Sequence, residues 1–179
     1  MYENCYERIT SFRLTRWEAL PSVDLYMDQV LELVNQTLAP LYPNEPPLMT
    51  SSMVNNYVKH KLISKPVNKR YRKGHIASLI AITILKSMYP ISTVANGLEE
   101  QRKVHGDDVA YNMFCDAIES AFLALASQLK AQDVTPLLHA RIEHEDFFVQ
   151  LAAITFAARY VSEDILNNQL MKIGETHEA

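Results

Sequence analysis

Residues 50–76 read TSSMVNNYVKHKLISKPVNKRYRKGHI, and the order of residue types in this stretch decides the expected fold. Thr50, Ser51 and Ser52 offer hydroxyl caps for a short helix, because a side-chain oxygen can accept from an otherwise orphaned N–H. Met53, Val54, Tyr57 and Val58 then fall on the inner side of that helix. A stop comes between Leu62 and Pro66. The run from Ser64 to Arg70 is too short and too polar to be more than a turn or a small wing. From Gly74 to Met88 the pattern is helical again, through Ile76, Leu79, Ile80, Ile84 and Leu85. A capped helix, a turn, a basic strand-like stretch with one aromatic and a new helix follow one another in the order of a winged helix-turn-helix.

The charge pattern is wider than this segment. Residues 46–98 contain no aspartate or glutamate but hold eight of the 17 lysines and arginines, so the formal net charge of −4 hides a stretch of +8 inside a remainder of −12. A positive field of that kind attracts a polyanion without dictating a fold, and nucleic acid is the obvious polyanion. Arg70, Arg72 and Lys73 crowd the start of the helix near Gly74. A helix start is itself partly positive, so each cation there costs a few tenths to about 1 kcal/mol at low ionic strength. Free N–H groups flanked by arginines form an anion site, and a phosphate would relieve the repulsion. On the preceding short helix, Ser51, Ser52, Asn55 and Asn56 can bond base edges or phosphates, and Lys59 and Lys61 stand at its end. Asparagine is a poor helix former, so a pair on one helix calls for a reason.

Three stretches carry a family resemblance: LPSVDLYMDQV at 20–30, MVNNYVKHKLI at 53–63 and YRKGHIASLI at 71–80. Together they resemble an uncharacterised bacterial family, domain of unknown function 1836, over residues 17–98. VNNYVKHKLI with the later tyrosine is similar to the reading helix and wing of MerR-type regulators. That resemblance implies Tyr57 as the helix tyrosine, Leu62 and Ile63 as the turn, Lys69 and Arg70 as the wing, and Tyr71 as the aromatic anchoring it. Asn55 stands where those regulators usually have arginine, Lys61 where they have glycine, and the wing is several residues shorter.

Working outward, residues 1–23 with Trp17 and Leu20 are expected to be an arm that packs onto something. Val23, Met27, Val30, Leu31 and Val34 predict a helix ending near Leu38, with Asp24 as a favourable acid at its start. Pro40, Pro43, Pro46 and Pro47 then impose an extended connector. After the helix near Gly74, a short one is expected from Ser92 to Leu98 and a polar hinge from Glu99 to Gly106. A long helix follows from Asp107 to Leu129, whose stripe of Phe114, Ile118, Ala121, Leu125 and Leu129 belongs to the centre of a bundle or to a subunit interface. A further helix is expected from Glu143 to Tyr160, then a turn at Ser162 to Asp164 and a last short helix to Met171.

These features predict a mainly α fold: a MerR-like winged helix-turn-helix over residues 24–98, joined to a helical dimerisation or sensing domain over 107–171. The expected function is DNA-binding transcriptional regulation. Its interface would be Ser51, Ser52, Asn55, Asn56, Tyr57, Lys59, Lys61, Lys65, Lys69, Arg70, Tyr71, Arg72 and Lys73, and its partner double-stranded DNA. A homodimer through the C-terminal helices and a small apolar effector are expected as well. The competing reading is a helical adaptor that docks an acidic protein without nucleic acid.

No catalytic residue, metal or cofactor is expected. The run HARIEHEDF places His139 and Glu143 on one helical face, but an acidic helix start explains it better than a metal site. Phosphate loops, nucleophile elbows and metalloprotease motifs are absent from the sequence. The polar N-terminus and the shortness of apolar runs such as 76–85 give the expectation of a cytoplasmic chain with no membrane partner. Cys5 and Cys115 match no metal or redox spacing, and are expected to be one surface thiol and one buried small residue.

Overall fold

The computed structural model describes residues 3–43, 45–130, 136–137 and 143–177, with side chains as far as residue 167. Its elements are α1 (Glu3–Ser11), a short 3-10 turn (Trp17–Ala19), α2 (Met27–Leu38), α3 (Ser51–Lys59), α4 (Lys73–Leu85), α5 (Ile91–His105), α6 (Asp107–Leu129), a second 3-10 turn (His144–Asp146) and α7 (Phe147–His177). The architecture is mainly α, and among the described residues extended pairing is confined to two isolated bridges.

Every residue of α4 from His75 to Leu85 is buried. A helix apolar on all sides has to be wrapped on all sides. Here α2, α5, α6 and α7 all pack against it. The most extensive packing joins α6 to α7, and α1 lies against both. One hydrophobic cluster therefore runs from Ile9 and Phe12 through Val54, Ile80 and Phe122 to Phe156.

Several sequence expectations need correction. The N-terminal arm does pack onto the rest of the fold, but it contains a helix not expected from the sequence, α1, whose Arg8 hydrogen-bonds Asp164 of α7. α2 begins only at Met27, because residues 24–26 are extended, and Val23 is left exposed. The hinge expected from Glu99 to Gly106 is helical to His105: Glu99 and Glu100 pair with Arg102 and Lys103 one turn later, and Gln101 is buried. Only Gly106, at φ 83°, breaks the chain, in a conformation that glycine adopts without strain. The turn expected at Ser162 to Asp164 is also helical, since Arg159 and Glu163 pair at 2.7 Å along α7. Both cysteines are buried, and burial pushes each thiol up to about 11. α6 exceeds the short apolar runs counted in the sequence: its length and hydropathy would suffice to cross a membrane, but most of its apolar stretch lies inside the fold.

The stripe on α6 is settled in part. Phe114, Ile118 and Ala121 are buried within the chain, while Leu125 and Leu129 are half-buried.

Candidate nucleic-acid interface

Two long-range devices position the cationic segment. The side-chain amide of Asn35, on α2, accepts from the Met49 N–H and donates to the Met49 carbonyl, each at 3.0 Å. This pair ends the proline-rich connector beside α2. Thr50 then caps α3, its hydroxyl accepting from the Met53 N–H at 3.4 Å. The connector, residues 39–50, is far longer than the three- or four-residue turn of a tight helix-turn-helix. The second device is the antiparallel bridge between Leu25 and Tyr71, which exchange N–H···O bonds of 2.9 and 2.8 Å. One such pair fixes its neighbours, because facing residues in an antiparallel register step in opposite directions. It sets Tyr26 opposite Arg70 and Asp24 opposite Arg72.

On α3 the polar residues share one side. At about 100° per residue, Ser51, Ser52, Asn55, Asn56 and Lys59 fall within an arc of about 140°. All five are exposed, whereas Val54 and Tyr57 on the opposite arc are buried. Tyr57, at 7% exposure, and Tyr71, at 3%, therefore belong to the core and not to the accessible face expected from the sequence. Their phenols are pushed above the ordinary value by that burial.

α3 ends at His60. The Lys61 N–H bonds the Val58 carbonyl at 3.1 Å and the Leu62 N–H bonds the Tyr57 carbonyl at 2.9 Å. This is the helix-ending pattern whose central residue must be left-handed. That residue is Lys61, at φ 59°. A second tight reversal follows, where the Arg70 N–H bonds the Val67 carbonyl at 2.9 Å around Asn68 (φ 50°) and Lys69 (φ 60°). Two successive positive φ values define the hairpin turn that usually carries Asn-Gly. Asparagine fills the first place, but lysine stands in the second.

The cations divide into two groups. Lys59, Lys61, Lys65 and Lys69 are exposed and, among the described residues, lie within ion-pair distance of no carboxylate. Arg70, Arg72 and Lys73 have partners that the sequence did not reveal. The Arg70 guanidinium lies 4.5 Å from the centre of the Tyr26 ring and donates to its hydroxyl at 2.8 Å. Arg72 faces Asp24 at 3.7 Å, an exposed pair of small energetic worth. Lys73 lies 5.7 Å over the Trp17 ring and reaches the Glu18 carbonyl at 3.5 Å. The cations at the start of α4 are thus not left without compensation: Asp24, read from the sequence as a helix-start acid, serves one of them.

His75 pins the base of the turn. The Arg72 N–H donates to His75 Nδ1 at 3.0 Å, which leaves the proton on Nε2, 2.9 Å from the Ser64 hydroxyl. Burial lowers its pKa and favours the neutral ring that this arrangement requires. Neither His75 nor Ser64, Asp24 or Tyr26 was singled out from the sequence for this role. The only local sign was a histidine at the third position of a helix, where a side chain can reach back to the cap.

The second candidate cluster does not assemble in the same way. Asp146 meets His105 of α5 at 2.7 Å, while Glu143, His144 and Glu145 are exposed. His139 lies outside the described residues. Among the described residues no group of three or more potential metal ligands forms.

The molecule is thus a mainly helical protein with an exposed, carboxylate-poor cationic segment joined to a polar helix face. The chain belongs to the family described as domain of unknown function DUF1836, which matches residues 15–118, from the segment before the first 3-10 turn into α6. Neither a curated protein nor a solved structure matches it.

Proposed function

We propose that this chain is a DNA-binding transcriptional regulator of the MerR-like winged helix-turn-helix type. In this reading α3 enters the major groove with Ser51, Ser52, Asn55 and Asn56 towards the base edges. Lys59, Lys61, Lys65 and Lys69, with Arg70, Arg72 and Lys73, bind phosphates. The observation that carries it is the pairing of a five-residue polar arc on α3 with lysines that, among the described residues, have no carboxylate partner, two of them at positive φ. Backbone strain kept in order to present a charge points to use of that charge. The long connector before α3 sets the arrangement apart from a tight helix-turn-helix, and leaves the α3, turn and α4 order as the shared part.

A homodimer through the C-terminal helices belongs to the same proposal. Phe147, Leu151, Thr155, Ala158, Ser162 and Leu166 recur at helical spacing along one exposed side of α7 and carry no charge. A solvated helix face ordinarily carries charges. Sedimentation equilibrium at micromolar concentration checks this part, and a monomer would remove the two-half-site arrangement.

The DNA reading is tested by fluorescence anisotropy with duplex DNA at several salt concentrations. With about five phosphates neutralised per subunit, log affinity falls against log salt with a slope of roughly −4 to −5. Reversing Lys65 and Lys69 to glutamate weakens binding to every sequence, whereas Asn55→Ala relaxes sequence preference. A flat salt response, or capture of an acidic protein with no retained DNA, favours the adaptor instead.

A further inference from the structure

We propose that the cleft between the end of α4, the proline-rich connector and α7 is a binding site for a small organic anion. Its ligand is a carboxylate on a short apolar body, held between Lys86 and Arg159. Lys86 is the one cation of residues 46–98 that turns towards the interior after α4 has ended. It is half-buried, it donates to the Leu48 carbonyl, and it lies 3.5 Å from Met53 Sδ. No carboxylate lies within ion-pair distance of it among the described residues. An ammonium that has given up part of its hydration for a carbonyl and a thioether gains no counter-charge in return. The downward displacement of its pKa, caused by burial alone, reflects the same missing charge.

The missing charge adjoins a cavity of about 170 Å³, lined by Lys86 and Arg159 with Tyr42, Leu48, Phe156 and Tyr160 among its walls. Arg159 donates to the Ser87 carbonyl at 2.5 Å and to Glu163 at 2.7 Å, which leaves guanidinium donors free. Glu163 also lines the cavity, so two cations face one carboxylate and the site keeps a charge of +1. The walls decide the rest of the ligand. Phe156 and Tyr160 are buried, Tyr42 and Tyr160 meet edge to face at 5.7 Å, and the Tyr160 hydroxyl is committed to the Leu41 carbonyl at 2.8 Å. Phe156 and Tyr160 offer hydrocarbon surface rather than further donors, so an organic carboxylate fits better than a bare inorganic anion.

An anion on Lys86 would also act on α3. The same ammonium holds Leu48, just before α3, and Met53 within it. Filling the cleft would tie both to α7 and bias the placement of the α3 polar face. This consequence rests on the DNA-binding reading above, while the anion site itself does not.

Benzoate is the probe, with benzyl alcohol as its neutral match, titrated into the full chain while aromatic and methyl NMR shifts and the melting temperature are followed. Benzoate should saturate with a rise in melting temperature, and benzyl alcohol should bind at least tenfold more weakly. Arg159→Gln, on an exposed face, should weaken benzoate at least tenfold with an unchanged circular dichroism spectrum. Lys86→Met should do the same if it folds. The proposal is overturned if benzoate does not saturate up to about 10 mM, if the alcohol binds equally well, or if folded Arg159→Gln binds benzoate normally. A wild type that binds benzoate but no DNA keeps the site and removes the reading of α3. A benzoate-dependent change in DNA affinity supports the coupling.

Discussion

Lys61 occupies a backbone conformation that glycine would hold without strain, and Lys69 does so again eight residues later. A left-handed lysine costs about 1–2 kcal/mol, part of which the greater freedom of an unfolded glycine would offset. Lys61→Gly should therefore raise stability, by up to about 1 kcal/mol, in urea unfolding. In the proposed interface it should also lower DNA affinity and flatten the salt slope by about 0.9, one phosphate contact. A more stable variant with unchanged binding would remove Lys61 from the interface. The departure was visible in the sequence, as a lysine where MerR-type regulators carry glycine. Its conformation was not, because only the two bonds to Val58 and Tyr57 that close α3 define it.

Among the elements, the cationic turn was the most legible and its attachments the least. A hydroxyl cap, a short polar turn and a new helix follow from local residue types, whereas the two-residue reversal at Asn68 and Lys69 does not, because lysine stands where glycine is usual. The bridge between Leu25 and Tyr71 joins distant segments, and no local pattern encodes its register. Asp24 therefore read as an acid at a helix start and Tyr26 as nothing in particular, although they face Arg72 and Arg70. The bond network of His75 is the part that pH can probe. Burial lowers its pKa from 6.5, so on acidification the unfolded chain takes up the proton before the folded one does. The stabilisation from neutral His75 is complete above about pH 6.5 and is lost as pH falls through that value towards the lower folded pKa. Urea midpoints should hold from about pH 8 to 7 and decline below about 6.5, less steeply in His75→Gln than in the wild type. Equal slopes in the two proteins would show that other groups carry the acid sensitivity.

At the scale of the whole molecule, the sequence divided the chain at a polar hinge after Leu98, yet α5 runs through that region and delivers Gln101 to the interior. Charged residues every three or four positions look the same in a hinge and on a solvated helix face, and only the packing of α5 on α4 and α6 distinguishes them. Phe122 shows how the two halves are joined. It is fully buried on α6, with ring centres of Phe12, Phe156 and Tyr160 at 5.9, 5.8 and 5.6 Å. The first lies just beyond α1 and the other two on α7, so this ring fastens the N-terminal segment to the C-terminal helix. Phe122→Ala should cost about 3–5 kcal/mol. Because α4 packs against α6 and α7 as well as α2, the loss should fall on the whole fold. Hydrogen exchange should show Ile76 to Leu85 in α4 losing protection together with α6 and α7, in one cooperative transition. A variant in which α2, α3 and α4 keep wild-type protection while α6 and α7 open would mean that the cationic segment and its supporting helices fold as a unit of their own. The anion cleft between Lys86 and Arg159 would then lie across the boundary between two folding units.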